Sequence, residues 1–448
     1  MSPRIPVLLA VLVGCDRSIE CLPPEPAPSG AGGNVLMVVM DDVGVDRLGV
    51  YGVHPEPAWT PRLDALADRG VRFDQAYAET VCTPGRAAIL TGRRPMTNGV
   101  GTNPNPRGKN RGLPKSEVLI PEALKDAPGG PWSSAAIGKW HLATLFRPEP
   151  DIEDPRRQGF DHFDGQLGTP TQLVEEAPDG KRGYYRWQRI RDGEVSMVEE
   201  YLTTAQADAA LYAMETLPEP WFLYLAFSAV HVPLEVPPPD LFEQADTSDP
   251  AGVADAMLEA LDHELGRVLD AVSDDVTVIV TSDNGTSQLV VRPPLLASRA
   301  KGSVYAGGTQ VPLLIAGPGI EPAVSSSLVH VTDLFPTVLD LAGIAPGDLG
   351  LELDGTSLVP ELFGEAPSRR RCVFVESFSP NGDPPREYDQ AVRNATHTLV
   401  RHPDGPDQLY RRRPTEPRED VDLLDAGGLA EADRDALREL RRLLRHDP

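Results

Sequence analysis

From Asn34 onward, apolar runs of strand length repeatedly stop at clusters of polar residues. Residues 35–40 end at Asp41-Asp42, and residues 276–281 end at Ser282-Asp283-Asn284-Gly285. Unbroken apolar runs of this length read as strands buried on both faces. Residues 222–227 run toward His231, and residues 133–137 lead into Gly138-Lys139-Trp140-His141. Stretches with helical spacing lie between them, at 60–67, 199–217, 251–272 and 332–342; the first carries a proline at the opening helical position. The alternation predicts an α/β fold, a large mixed and mainly parallel sheet flanked by helices. Ligands in such sheets collect beyond the carboxyl ends of the strands, so the polar clusters are expected to converge. After about Gly364 the pattern changes to short β-like pieces at 372–376, 388–393 and 396–401. A helix with Leu437, Leu440, Leu443 and Leu444 on one face follows. We therefore expect a main domain over 34–364 and a small C-terminal α+β subdomain over 365–448, with an antiparallel sheet and a terminal helix.

Charge narrows the possible partners. The 448 residues include 67 acidic and 42 basic side chains, a formal charge of −25. A field of that sign opposes free association with nucleic acid or anionic lipid. Proline (46) and glycine (40) are abundant, yet 40% of residues are apolar, which identifies a loop-rich globular chain and not a disordered one.

The N-terminus adds a compartment. A short basic start is followed by an apolar run over 5–13, too short to span a bilayer, which reads as a signal peptide over 1–14. Leu12-Val13-Gly14-Cys15 resembles the bacterial lipobox, which would make Cys15 a lipid anchor; a plain secretory signal with a chance cysteine is the alternative. Residues 15–33 then form a Pro/Gly-rich tether, reaching roughly 60 Å when extended. The expected location is the bacterial cell envelope, periplasmic or at the cell surface. A disulfide between Cys21 and Cys372 is not expected, because spacing alone cannot support it.

Asp41, Asp42, Asp283 and Asn284 offer oxygen ligands at the ends of two separate strands, a donor set for a hard divalent cation. Either pair alone reads equally as a cap or turn. Their equivalent positions favour a metal site, with Ca2+ expected before Mg2+.

The segment Val81-Cys82-Thr83-Pro84-Gly85-Arg86-Ala87-Ala88-Ile89-Leu90-Thr91-Gly92 resembles the signature of the sulfatase family, where Cys-x-Pro-x-Arg directs conversion of the cysteine to formylglycine. Further landmarks follow in order from about Asn34 to Leu424. They include Val39-Met40-Asp41-Asp42, Gly138-Lys139-Trp140-His141-Leu142, His231-Val232-Pro233, Ser282-Asp283-Asn284-Gly285, Lys301-Gly302, Thr332-Asp333-Leu334 and Leu353-Asp354-Gly355. The resemblance implies an alkaline-phosphatase-like catalytic domain, hydrolysis of aryl or carbohydrate sulfate monoesters, and a formylglycine-generating enzyme as maturation partner. By the same carry-over, Cys82 becomes an aldehyde whose hydrate attacks sulfur and itself binds the metal together with Asp41, Asp42, Asp283 and Asn284. Arg86 would hold the formylglycine, Lys139 and Lys301 would bind sulfate oxygens, His141 would assist loss of the diol proton, and His231 would protonate the leaving oxygen.

This chain departs from the family pattern in two places. Gly85 stands where many relatives carry Ser or Ala, a change expected to slow conversion of Cys82. The family's Glu-Gly-Gly-x-Arg-Val-Pro segment reads Ala306-Gly307-Gly308-Thr309-Gln310-Val311-Pro312 here, without its acid and its base. Lys181, Arg182, Arg186, Arg189 and Arg191, interspersed with Tyr184, Tyr185 and Trp187, form either a grip for a sulfated sugar or a solvated loop. The rival activities are phosphonate monoester or phosphodiester hydrolysis, and non-catalytic binding of sulfated glycans.

Overall fold

The computed structural model describes residues 33–104, 111–144, 150–172, 182–368, 370–386, 388–413 and 418–446. Cys15, Cys21 and Lys181 lie outside the described residues.

Ten strands form the main sheet: β1 (Val35–Met40), β2 (Val71–Tyr77), β3 (Ser133–Lys139), β4 (His162–Gln166), β5 (Trp187–Arg191), β6 (Glu194–Val198), β7 (Trp221–Ala226), β8 (Thr277–Ser282), β9 (Leu313–Ala316) and β10 (Ala323–His330). Their order is β10-β2-β9-β8-β1-β7-β3-β4-β5-β6. The run β8-β1-β7-β3-β4 is parallel throughout. β9 runs against both β8 and β2, and β5 against its neighbours β4 and β6. The central strands β1 and β7 are apolar at every position because both faces are covered. Val35, Met37 and Val39 of β1 enter one hydrophobic core, while Leu36, Val38 and Met40 enter the other. The long helices Leu202–Thr216 and Pro250–Ala271 pack against each other, and residues from both enter the second core.

The second sheet is antiparallel, in the order β11 (Val373–Ser377), β12 (Asp389–Arg393), β13 (His397–Arg401) and β14 (Gln408–Arg411). Helix Glu431–His446 closes it, placing Leu440, Leu443 and Leu444 against Cys372, Val392, Leu399 and Leu409. Cys372 is disulfide-bonded. Cys82, the other described cysteine, is free, so the partner of Cys372 lies outside the described residues. A disulfide at Cys372 departs from the expectation above, because spacing along the chain carries no information on which cysteines meet. Among the described residues no helix is long and apolar enough to cross a membrane.

Within the aromatic and basic stretch, Trp187–Arg191 forms β5, which pairs with β6 as a hairpin. β5 and β6 extend the main sheet at its edge, where Arg189 and Arg191 both pair with Asp164, and Arg186 pairs with Glu199. Tyr184 and Trp187 are buried. Trp187 enters the second core and Ile190, from the opposite face, the first, while Arg189 and Arg191, which share the Trp187 face, reach Asp164 on the adjacent strand β4.

Candidate active site

Most of the site residues gather at the carboxyl edge of the main sheet. Asp41 and Asp42 follow β1, Asp283 and Asn284 follow β8, and Lys139 ends β3 with His141 two residues on. Cys82 opens helix Cys82–Thr91, reached from β2, and every residue of that helix is buried. The backbone at this edge is strained: Asp42 (φ 65°) and His141 (φ 60°) are two of the three described non-glycine residues with positive φ. Strain of that kind persists only where surrounding contacts hold it.

The carboxylates and cations interlock. Lys139 Nζ donates to Asp41 Oδ2 at 2.5 Å. Lys301 Nζ pairs with Asp42 and also lies 3.3 Å from Cys82 Sγ. Arg86 Nε donates to Asp283 Oδ2 at 2.8 Å, and its Nη1 donates to the Lys139 carbonyl at 2.7 Å. Cys82 Sγ is 3.5 Å from Asp41 Oδ1. His231 donates Nδ1–H to the Val232 carbonyl at 2.7 Å, which leaves Nε2 as its reactive nitrogen.

Electrostatics follow from this packing. Burial works against ionisation of Asp41 and Asp42, but Lys139 and His231 at the first, and Lys301 and His231 at the second, hold both carboxyls below their ordinary range. Burial, with help from the Asp283 and Asp41 charges, pushes the Cys82 thiol up to about 12. Burial and the adjacent Lys139 and Arg86 cations drive the His141 imidazole well down. His231 is also lowered, by burial and then Lys139.

The donor set fits a hard cation. Ligand atoms of Asp41, Asp42, Cys82 and Asp283 all lie within 4.8 Å of one another. Asn284 donates its amide N–H to Asp42 Oδ1 at 2.9 Å, which fixes the orientation of the amide. Its Oδ1 is buried without a hydrogen-bond partner. An orphaned amide oxygen beside three carboxylates is the arrangement a divalent cation satisfies.

All ten expected site residues thus meet at one place: Asp41, Asp42, Cys82, Arg86, Lys139, His141, His231, Asp283, Asn284 and Lys301. Sequence reasoning missed two of their neighbours. Tyr184 places its hydroxyl 2.6 Å from the Ser228 carbonyl and 2.8 Å from that of His231. Asn103 Oδ1 accepts the Thr83 N–H at 2.9 Å. Tyr184 falls in the aromatic and basic stretch noted above, though not as a neighbour of this site, and no local pattern would have singled out Asn103.

A mainly parallel sheet that gathers carboxylates and fixed cations at its carboxyl edge defines a protein of the alkaline phosphatase superfamily. Within that superfamily the chain belongs to the sulfatase family, whose model matches residues 33–344. It is 33% identical over 367 residues to N-acetylgalactosamine-6-sulfatase of Canis lupus familiaris, covering 74% of this chain and 66% of that protein. To human arylsulfatase A it is 33% identical over 381 residues, covering 78% of this chain and 71% of that one. The chain therefore spans about two thirds of the length of these relatives. The crystal structure of Ps i-CgsB in complex with k-i-k-neocarrahexaose superposes with a TM-score of 0.74 at 25% identity, covering 93% of this chain and 94% of that one.

Proposed function

We propose that this protein hydrolyses sulfate monoesters of carbohydrates or aryl alcohols. The observation that carries the reading is the cluster of Cys82 with Asp41, Asp42 and Asp283 inside a ring of fixed cations. The relatives named for N-acetylgalactosamine 6-sulfate and aryl sulfate, and the structural neighbour holding a neocarrahexaose, support the choice of sulfate ester.

Asp41, Asp42, Asp283 and Asn284 would hold a divalent cation, Ca2+ before Mg2+, which supplies charge neutralisation at the reacting oxygens. Formylglycine derived from Cys82 supplies, as its hydrate, a nucleophile able to release sulfate by collapse to the aldehyde. Lys139 and Lys301 keep positive charge where sulfate oxygens bind, at no cost of reorganisation because Asp41 and Asp42 already orient them. Arg86, buried and held by Asp283 and the Lys139 carbonyl, stiffens the floor beneath residue 82. The free Nε2 of His231 carries the proton for the leaving alcohol oxygen, and His141 takes one from the nucleophile.

We also propose, from the lipobox-like Cys15, that the protein is tethered to a bacterial envelope membrane. A disulfide at Cys372 suits the oxidising compartment this implies.

The test is mass spectrometry of tryptic peptide 73–86, followed by kinetics on aryl sulfate and aryl phosphonate with protein co-produced with a formylglycine-generating enzyme. Formylglycine at 82, with turnover of sulfate faster than phosphonate and lost in Cys82→Ala, is the expected result. Faster phosphonate turnover would transfer the protein to the phosphonate hydrolases. Persistent thiol with glycan binding and no turnover would overturn the enzymatic reading.

A further inference from the structure

Helix Cys82–Thr91 begins without a local cap: the residue before it is Val81, whose side chain accepts no hydrogen bond. The first N–H groups of a helix have no partner inside it, and these are buried. The Thr83 N–H, one residue beyond the nucleophile position, is instead taken by Asn103 Oδ1 at 2.9 Å, from 20 residues further along the chain. The Thr83 hydroxyl donates to the His141 carbonyl at 2.9 Å, so the same residue links the helix start to the candidate proton acceptor.

Asn103 sits on an irregular loop, and the second sheet holds that loop in place. In the segment after β11, Asn381 Oδ1 accepts the N–H groups of Gly101 and Thr102 at 3.1 and 3.0 Å. Its Nδ2 donates to the carbonyls of Thr102 and Arg111 at 2.9 and 2.7 Å. Two acceptor and two donor contacts use the full capacity of one amide. The backbone adds to this: the Gly382 N–H donates to the Gly99 carbonyl at 2.8 Å, and the Phe378 N–H to that of Gly101 at 3.3 Å. The Phe378 ring packs so closely that a Cβ on Gly101 would fall 2.5 Å from it.

We propose that Asn381 and Asn103 are positioning residues through which the C-terminal subdomain sets the start of the nucleophile helix. The proposal rests on the hydrolase reading above for its catalytic consequence, and on geometry alone for the relay. Neither residue touches the ligand cluster; each acts through the Thr83 N–H. The subdomain is thus a working part of the site, although all ten of the site residues belong to the main domain.

The experiment compares Asn103→Ala, Asn103→Asp, Asn381→Ala and Asn381→Asp in the full-length protein, by amide hydrogen exchange of peptides containing Thr83 and by steady-state kinetics. Both alanine variants should speed exchange at Thr83 and lower kcat roughly tenfold to a hundredfold with little change in KM. Asn103→Asp keeps the acceptor and should restore protection. Asn381→Asp keeps two acceptor contacts but turns an anionic oxygen toward the Thr102 and Arg111 carbonyls, so it too should speed exchange at Thr83; it also preserves the test should Asn381→Ala fail to fold. Wild-type exchange at Thr83 in both Asn381 variants would overturn the relay, as would a loss confined to KM. Absence of any turnover in wild type would defeat the hydrolase reading alone, because the exchange measurement still decides the relay.

Discussion

Gly85 provides the sharpest test of how tightly the helix opening at Cys82 is set. A Cβ placed there would lie 1.9 Å from the Asp283 carbonyl oxygen and 2.9 Å from its carbonyl carbon. Ordinary contact begins well beyond 3 Å, so helix or strand end must retreat by about 1.5 Å. Neither can do so through a flexible side chain, because the obstacle is backbone. Asp283 is also the partner of Arg86 and a candidate metal ligand, so the displacement falls on the candidate ligand cluster. Gly85→Ser should therefore cost about 1–3 kcal/mol by overpacking. A shift of that size should also lower kcat roughly a hundredfold. The assay pairs thermal denaturation with aryl sulfate turnover, each normalised to the formylglycine content of peptide 73–86. Normalisation separates displaced geometry from the slow conversion that the sequence alone suggested. A Gly85→Ser protein with wild-type Tm and wild-type turnover per formylglycine would refute the packing argument.

Three further outcomes are expected. Asn284→Ala removes the orphaned acceptor and should weaken Ca2+ binding at least roughly tenfold, read by calorimetry on chelator-treated protein; unchanged affinity would exclude Asn284 as a ligand. His231→Ala should slow poor leaving groups roughly a hundredfold or more and good ones far less, so equal losses across an aryl sulfate series would end its role as the acid. Glu79 is buried 3.3 Å from His330, and burial raises its carboxyl from 4.5 to about 8. Across that interval the folded protein retains a proton that the unfolded chain releases, so this contribution to stability declines as pH rises, by about 1.4 kcal/mol per unit. His330, lowered by burial to about 3, acts with the opposite sign at lower pH. The difference between Glu79→Gln and wild type isolates the carboxyl and should widen in favour of the variant from pH 5 to 8; parallel melting profiles would show that Glu79 does not titrate there.

Much of this protein is determined locally. An apolar run such as 35–40, short and rich in valine, reads as a strand covered on both sides, and its termination at Asp41-Asp42 states which end carries the polar cluster. The spacing Cys82-x-Pro84-x-Arg86 is likewise complete within five positions. Helix boundaries at 60–67 and 251–272 fall within a residue of Pro61–Asp68 and Pro250–Ala271, because proline and amphipathic spacing act over single turns. Other features needed the third dimension. The alternation in β5 did not reveal that Arg189 and Arg191 would be spent on Asp164, since those partners are 25 and 27 residues away. Lys301 meets Asp42 across 259 positions, and Asn381 reaches Thr102 across 279. Such pairs leave no periodic trace, because a charge or an amide finds its partner through the crossing of strands and not through its neighbours in the chain. Residue types and spacing determined which chemistry the chain carries; only the closing of the two sheets decided which cation faces which carboxylate, and which distant asparagine caps the nucleophile helix.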